Sequence, residues 1–472
     1  MTSSLTRDFT ATPTNAKKFT ISFWLKKVRL GSNQIMLTNY GNSGNDDFQV
    51  QLRNDDTIGI LDYKSGGVVA NHETTRTFQD TTSWYHIVVA GDSTQSTAAN
   101  RLRLYVNGLE ETSWASLSSI TQDADWNWNK EQGGTSVGHV IGTAGNGSNI
   151  FHGYLAHIHN VDGTAYAPTT FGETDSTTGE WKPILNPSVT YGNNGWFLKF
   201  ENAGALGTDS SGNSATFTVS GDLKQSVSTP TNTFATLDAN QAYDKSHVRY
   251  ASTAFLGTSG SARGCNSTFM MNDGKWYVEF KPASASTSAD NTTISLIKNG
   301  TFANIRWKYE GSNAIPGKET GSNGCEAISY QPMTGTPNLI DDGGGGTVNY
   351  GSQASANDII MMAVDLSAAT SKIWFGKNGT WFNAPGTSNA GDPANGNYAG
   401  LSFAKGDDFW GIGVTTVASS GNQYIYVNFG EGRFGTTAVS SANADGASLG
   451  AFEYAVPSGF YSICTKNIKT YG

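Results

Sequence analysis

The chain has 472 residues, 56 of them glycine, with 15% charged residues, a formal net charge of −9 and a pI near 5.3. That length is enough for two to four domains, and the low charge with many Gly, Ser, Thr and Asn suits short strands joined by tight polar turns, not helical bundles. No basic excess supplies the phosphate-neutralising term on which nucleic-acid affinity rests, so DNA and RNA are excluded as expected partners.

Met1-Thr-Ser-Ser runs into a polar segment with no basic, apolar or cleavage-site pattern. No signal peptide and no membrane insertion are therefore expected. The first strand signal is Phe19 to Lys26, in which Phe19, Ile21, Phe23 and Leu25 alternate with polar residues. This period of two predicts a half-buried strand, with Trp24 under a loop or at an interface. Further strands are read at Phe48 to Leu52, Ile58 to Tyr63, Trp84 to Ala90 and Leu102 to Val106, each closed by Asn, Asp or Gly. Asn107-Gly108 predicts a hairpin turn in which both residues take positive φ.

Strand patterns recur at Val137 to Ile141, Phe151 to Val161, Gly195 to Phe200 and Ala215 to Val219. Residues 221–260 are polar without clean periodicity, which leaves a linker or strands wrapping the next module equally open. A second group follows: Lys275 to Phe280, Asn357 to Leu366, Lys372 to Trp381 and Tyr426 to Gly430. The fold class is accordingly all-β, two sandwich modules in series, at 1–220 and 261–440, with a connector at 221–260 and a C-terminal tail at 441–472.

Chemistry-bearing residues are few. Trp126-Asn127-Trp128 sits in a polar stretch. It reads either as a sugar platform, two flat apolar faces around an amide, or as a plug at the sandwich end or a subunit contact. His152, His157 and His159 lie where one strand face could gather them around zinc or nickel, or where they merely occupy ordinary polar positions. His86 reads as a core histidine. Asp46, Asp47, Asp92, Asn107, Asp123, Asp125 and Asp162 are hard oxygen donors on loops, suited to calcium and equally to turn formation. Gly343 to Gly346 lacks the Lys-Ser/Thr of a phosphate loop and reads as flexible. Cys265, Cys325 and Cys464 lack metal or disulfide spacing and read as inert buried thiols. Neither a Glu-x-Asp-x-Glu strand nor a G-x-S-x-G elbow is present, so no catalysis is expected.

The succession Trp84 to Asp92, Leu104-Tyr-Val-Asn-Gly108, Ile141-Gly142 and Phe151-x-Gly153 resembles the concanavalin A-like jelly roll of laminin-G and pentraxin type. That resemblance makes calcium the usual ion. Lys275-Trp-Tyr-Val-Glu, Asp358 to Asp365 and Ile373 to Gly379 resemble a SPRY-like sandwich. A lectin-like module followed by a SPRY-like one, with Tyr454 to Phe460 behind them, resembles fibre and appendage proteins of marine tailed bacteriophages. The resemblance implies a virion-surface location, other virion proteins as partners, a host glycan or receptor as ligand, and a homo-oligomer, a trimer. A capsid decoration or vertex protein is the structural alternative, and a polysaccharide-degrading enzyme the third.

Overall fold

The computed structural model describes all residues except 1–2, 10, 42–45, 131–137, 243–244, 259–262, 284–290, 299–326, 342–345 and 418–421. Cys325 and Gly343 to Gly345 lie outside the described residues. The chain divides into two compact units, residues 1–225 with 229–231, and 226–228 with 232–472.

The first unit is a sandwich of two antiparallel sheets. Eight strands run in the order Trp114–Leu117, Gly67–Thr77, Thr57–Lys64, Asp46–Leu52, Gln34–Gly41, Gly138–Ile141, Ser4–Arg7 and Thr218–Ser220. Six run Trp196–Leu198, Gly153–Asp162, Lys18–Lys27, Tyr85–Asp92, Leu102–Val106 and Leu109–Glu110. Phe19, Ile21, Phe23 and Leu25 point into the core with Phe48, Val50, Ile58, Ile60, Ile87 and Leu104. Burying each such side chain contributes about 1.5–3 kcal/mol. The other face of Lys18–Lys27 is covered too, because the chain after Asp162 folds across it. Thr20 Oγ1 donates to the Thr164 carbonyl at 2.8 Å and accepts from the Tyr166 amide at 2.8 Å. Trp24 lies beneath that cover, stacked on His86 with ring centroids 4.7 Å apart. Asn107 and Gly108 take φ of 50° and 82°, closing the expected hairpin.

The second unit repeats the plan. Its larger sheet runs Val248–Arg249, Ala254–Thr258, Asn422–Asn428, Lys275–Pro282, Ile360–Asp365, Thr370–Lys377 and Thr380–Trp381, with Leu401–Ala404 also pairing Thr370–Lys377. The facing sheet runs Arg263–Met271, Trp410–Val417, Asn291–Lys298, Ala327–Gln331, Asn338–Asp341 and Gly346–Asn349. Two expectations are corrected here. All of the segment read as a connector except 221–225 and 229–231 belongs to this unit: Ala235 and Leu237 lie in its core, and Ala254–Thr258 pairs with Asn422–Asn428. The segment read as a tail is a strap. Phe452 and Phe460 pack with Tyr277 and Trp374 on the outer face of the larger sheet, and Ile463 enters the main core. The backbone amides of Glu453 and Tyr454 donate to the Glu279 carboxylate at 2.9 and 2.8 Å. Polar sequence hides both segments, because a few inward anchors hold them in place of alternation. Cys265 and Cys464 are buried free thiols. Among the described residues no helix is long and apolar enough to cross a membrane.

Candidate functional site

The expected sugar platform is corrected by its burial: Trp126, Asn127 and Trp128 are 3%, 1% and 0% exposed. Trp126 donates through Nε1 to the Lys17 carbonyl at 3.0 Å and meets the Phe19 ring edge-on at 5.4 Å. Asn127 Nδ2 donates to Asp62 Oδ1 at 2.7 Å and to the Tyr63 carbonyl. Burial pushes the Asp62 carboxyl up to about 7, against the hydrogen bonds from Asn127. Trp128 Nε1 donates to Asn160 Oδ1 at 2.7 Å, and its ring stacks on His139. No face of either indole is open to a sugar. The three residues close the space between the sheets.

The expected histidine cluster does not form. The pairing of Gly153–Asp162 with Lys18–Lys27 slips by one residue between Ala156 and His159, and His157 takes φ of 46°. A bulge of this kind breaks the two-residue period that was to align the imidazoles. His159 is buried, stacked on Phe197 at 3.8 Å, with Nδ1 2.9 Å from the Tyr191 hydroxyl. Burial holds its pKa well below the ordinary histidine value. His152 Nε2 lies 3.1 Å from the Arg29 guanidinium, a neighbour hostile to a cation. Among the described residues no three His, Cys, Asp or Glu side chains form a metal-sized group.

The calcium donors are equally committed. Asp92 accepts from Thr94 Oγ1 at 2.6 Å and Gln95 Nε2 at 2.7 Å, and pairs with Lys18 at 3.2 Å. Asp162 accepts the amides of Thr14 and Asn194, Asp46 that of Ser65, and Asn107 that of His86. Asp47 accepts from Thr38 Oγ1 at 2.5 Å, and Lys17 lies beside Asp123 and Asp125. Among the described residues these side chains serve turns and strand ends, and no three of them gather into a metal-sized group.

A different arrangement offers recognition chemistry, on the outer face of the eight-stranded sheet. Register places Gln51, Gly59, Glu73 and Ser116 in one row across four strands, and Thr38, Gln49, Leu61 and Asn71 in the next. Arg53, which continues the outward alternation of Gln49 and Gln51, lies flat over Gly59. A Cβ at Gly59 would stand 2.8 Å from Arg53 Nε and 3.3 Å from the Gln51 side chain, so the bare glycine makes the seat for the guanidinium. Arg53 Nη1 pairs with Glu73 at 3.2 Å, Nη2 donates to Asn71 Oδ1 at 3.2 Å, and Nε–H is buried over Gly59 with no partner among the described residues. The Arg53 and Glu73 side chains keep 26% and 17% of their exposure. A fixed guanidinium, a carboxylate and two amides on a flat face alternate donors and acceptors, the pattern that neighbouring sugar hydroxyls match. No motif marks this site. The one signal is Gly59 within an otherwise β-forming run.

With this geometry in view, residues 4–164 match the family model of the concanavalin A-like lectin/glucanases superfamily, in its laminin-G form. The first unit thus carries a concanavalin A-like jelly roll. Among solved structures, the SPRY domain of human HERC1 is similar at 16% identity over 40% of this chain and 96% of its own, with a TM-score of 0.27. A Bacteroides ovatus protein provisionally named as carbohydrate-binding is similar at 15% identity over 47% of this chain and 56% of its own, with a TM-score of 0.30. Domains LG4-5 of the mouse laminin alpha1 chain are similar at 8% identity over 86% of this chain and 78% of theirs, with a TM-score of 0.28. No curated protein matches.

Proposed function

We propose that the protein is a non-catalytic glycan-binding protein of a virion surface, a fibre or head appendage of a tailed bacteriophage that contacts host saccharide. The carrying observation is the Arg53 guanidinium, seated over Gly59 and held by Glu73 and Asn71, with the Arg53 and Glu73 side chains still 26% and 17% exposed on that face. The concanavalin A-like match of the first unit supports a binding role, since that superfamily is described by its lectins as well as its glucanases. The virion setting, the partner virion proteins and a trimeric assembly rest on the order of the two sandwich modules and its resemblance to phage appendages.

A glycan array probed with the full chain tests the binding. Selective binding that Arg53→Ala abolishes supports the reading. Equal binding by the variant, or none by either, removes it. Antibody labelling of purified particles in the electron microscope tests the location, and unlabelled particles would sink the virion assignment.

A further inference from the structure

On the outer face of the second unit's larger sheet, register aligns Arg249, Ala254, Tyr426 and Lys281 in a single row across four strands. With strands about 4.8 Å apart, the backbones of Arg249 and Lys281 stand about 14 Å from one another with the tyrosine between them. Tyr424 shares the face two residues earlier, its ring parallel to that of Tyr426 within 1° and 5.9 Å away. Tyr250 leans across both, at 5.8 and 6.0 Å and tilted by 58° and 57°. It is 43% exposed, and Tyr424, Tyr426, Arg249 and Lys281 are each half-buried.

The backbone is shaped to present this ring. Tyr250, Ala251 and Ser252 take φ of 50°, 53° and 64°, three successive non-glycine residues in the left-handed region. Such a conformation persists only where its surroundings hold it. Here Ser252 is buried and its carbonyl accepts from the Leu237 amide at 2.8 Å, while Thr253 Oγ1 donates back to the Tyr250 carbonyl at 2.7 Å. On the far side Gly435 passes close over the Tyr426 ring, where a Cβ would stand 2.7 Å from it, and Lys281 Nζ reaches over Phe434 at 5.7 Å. Among the described residues, the charges bearing on Tyr424 and Tyr426 are the Arg249 cation and the neighbouring phenols. In a chain of net charge −9 this row is locally basic.

From this we infer that the Tyr250–Tyr424–Tyr426 platform with Arg249 and Lys281 is a second binding site, one that takes an acidic oligosaccharide. The gap between the two parallel rings is too narrow to admit a ring. A ligand therefore lies along the row, its C–H groups on the exposed Tyr250 ring and the outer edges of Tyr424 and Tyr426, its hydroxyls on their phenol oxygens, and its anionic groups on the flanking cations. A neutral sugar forfeits the cations, and an acidic peptide forfeits the stacking. The site shares no residue with the Arg53 face.

Calorimetric titration of the full chain with a galacturonic-acid oligomer, a neutral galactose oligomer of equal length and an oligoglutamate peptide tests this. The acidic saccharide should bind best and weaken as salt rises. Arg249→Gln, Lys281→Gln and Tyr250→Leu should each weaken it about fivefold or more at unchanged thermal midpoint, with Lys281→Arg retaining binding. Arg53→Ala should leave it unchanged, which separates this site from the one in the first unit. Absence of acidic-saccharide binding, wild-type affinity in the three variants, or oligoglutamate bound as tightly and indifferently to Tyr250→Leu would each overturn the inference.

Discussion

His139 lies flat on Trp128, ring centroids 4.0 Å apart, and its two nitrogens join three elements. Trp196 Nε1 donates to His139 Nδ1 at 2.8 Å, which leaves the ring proton on Nε2 to donate to the Trp128 carbonyl at 2.8 Å. The neutral tautomer is thereby specified. His139→Phe keeps the stack and removes both hydrogen bonds, leaving a buried donor and a buried acceptor unpaired. A loss of about 2–4 kcal/mol in urea unfolding is expected.

Acid should destabilise the first unit through its histidines. Burial lowers His72 to about 4 and His86 and His139 to about 3. The unfolded chain binds protons at these sites below its ordinary value of 6.5 while the folded chain does not, so stability is full above 6.5 and falls as pH drops towards 3. Between about 4 and 7 the buried Asp62 offsets about one of these three protons. Denaturation midpoints should therefore fall more steeply between about pH 4 and 6 than below 4, where His72 and then His86 and His139 take up their protons in the folded chain as well. A uniform slope would contradict the assignment.

Asp62 has the opposite sign. Its folded pKa of about 7 exceeds the ordinary carboxyl value of 3.8, so its contribution is complete below that value and is lost as pH rises through 7. Asp62→Asn removes this dependence. Compared with wild type, the variant should gain about 2–3 kcal/mol on moving from pH 5 to pH 8 in urea titrations.

Lys27 is fully buried and pairs with Asp56 at 2.7 Å, while Asp56 also accepts from the Gly31 amide at 3.0 Å. Lys27→Met strands the carboxylate and should cost about 3–5 kcal/mol. Adding Asp56→Asn should restore part of that loss, since the uncompensated charge goes with it. A double variant as unstable as the single one would exclude this explanation.

Gly59→Val should displace the Arg53 guanidinium without removing a contact from the core. Saccharide binding on the first unit should fall about tenfold, the equivalent of one lost charge-assisted hydrogen bond. Stability should change by less than about 1 kcal/mol, measured on the same preparation.

The strands were legible where one face alternates without interruption. Phe19 to Leu25 places every second side chain at 1% exposure or less. Leu102–Val106 has the expected bounds, and Asn107-Gly108 turns as its residue types demand. Strands Gln34–Gly41 and Gly67–Thr77 escaped because Asn39 and His72, polar residues, occupy inward positions. The candidate site was hardly legible at all. Trp126 and Trp128 have the same composition whether exposed or buried, and their polar neighbours turned out to be partners: Asn127 for Asp62 and Asn129 for Asn160.

From residue order alone come the all-β class, the two sandwich modules and the turn chemistry, because a period of two and the φ preferences of Asn and Gly act over a few adjacent residues. The folded chain decided what each polar residue does. Arg53, Gly59, Asn71 and Glu73 meet through strand register, and the bulge at His157 separates imidazoles that spacing would have joined. Burial and convergence are properties of contacts between distant segments, and a one-residue slip in register is enough to reverse them.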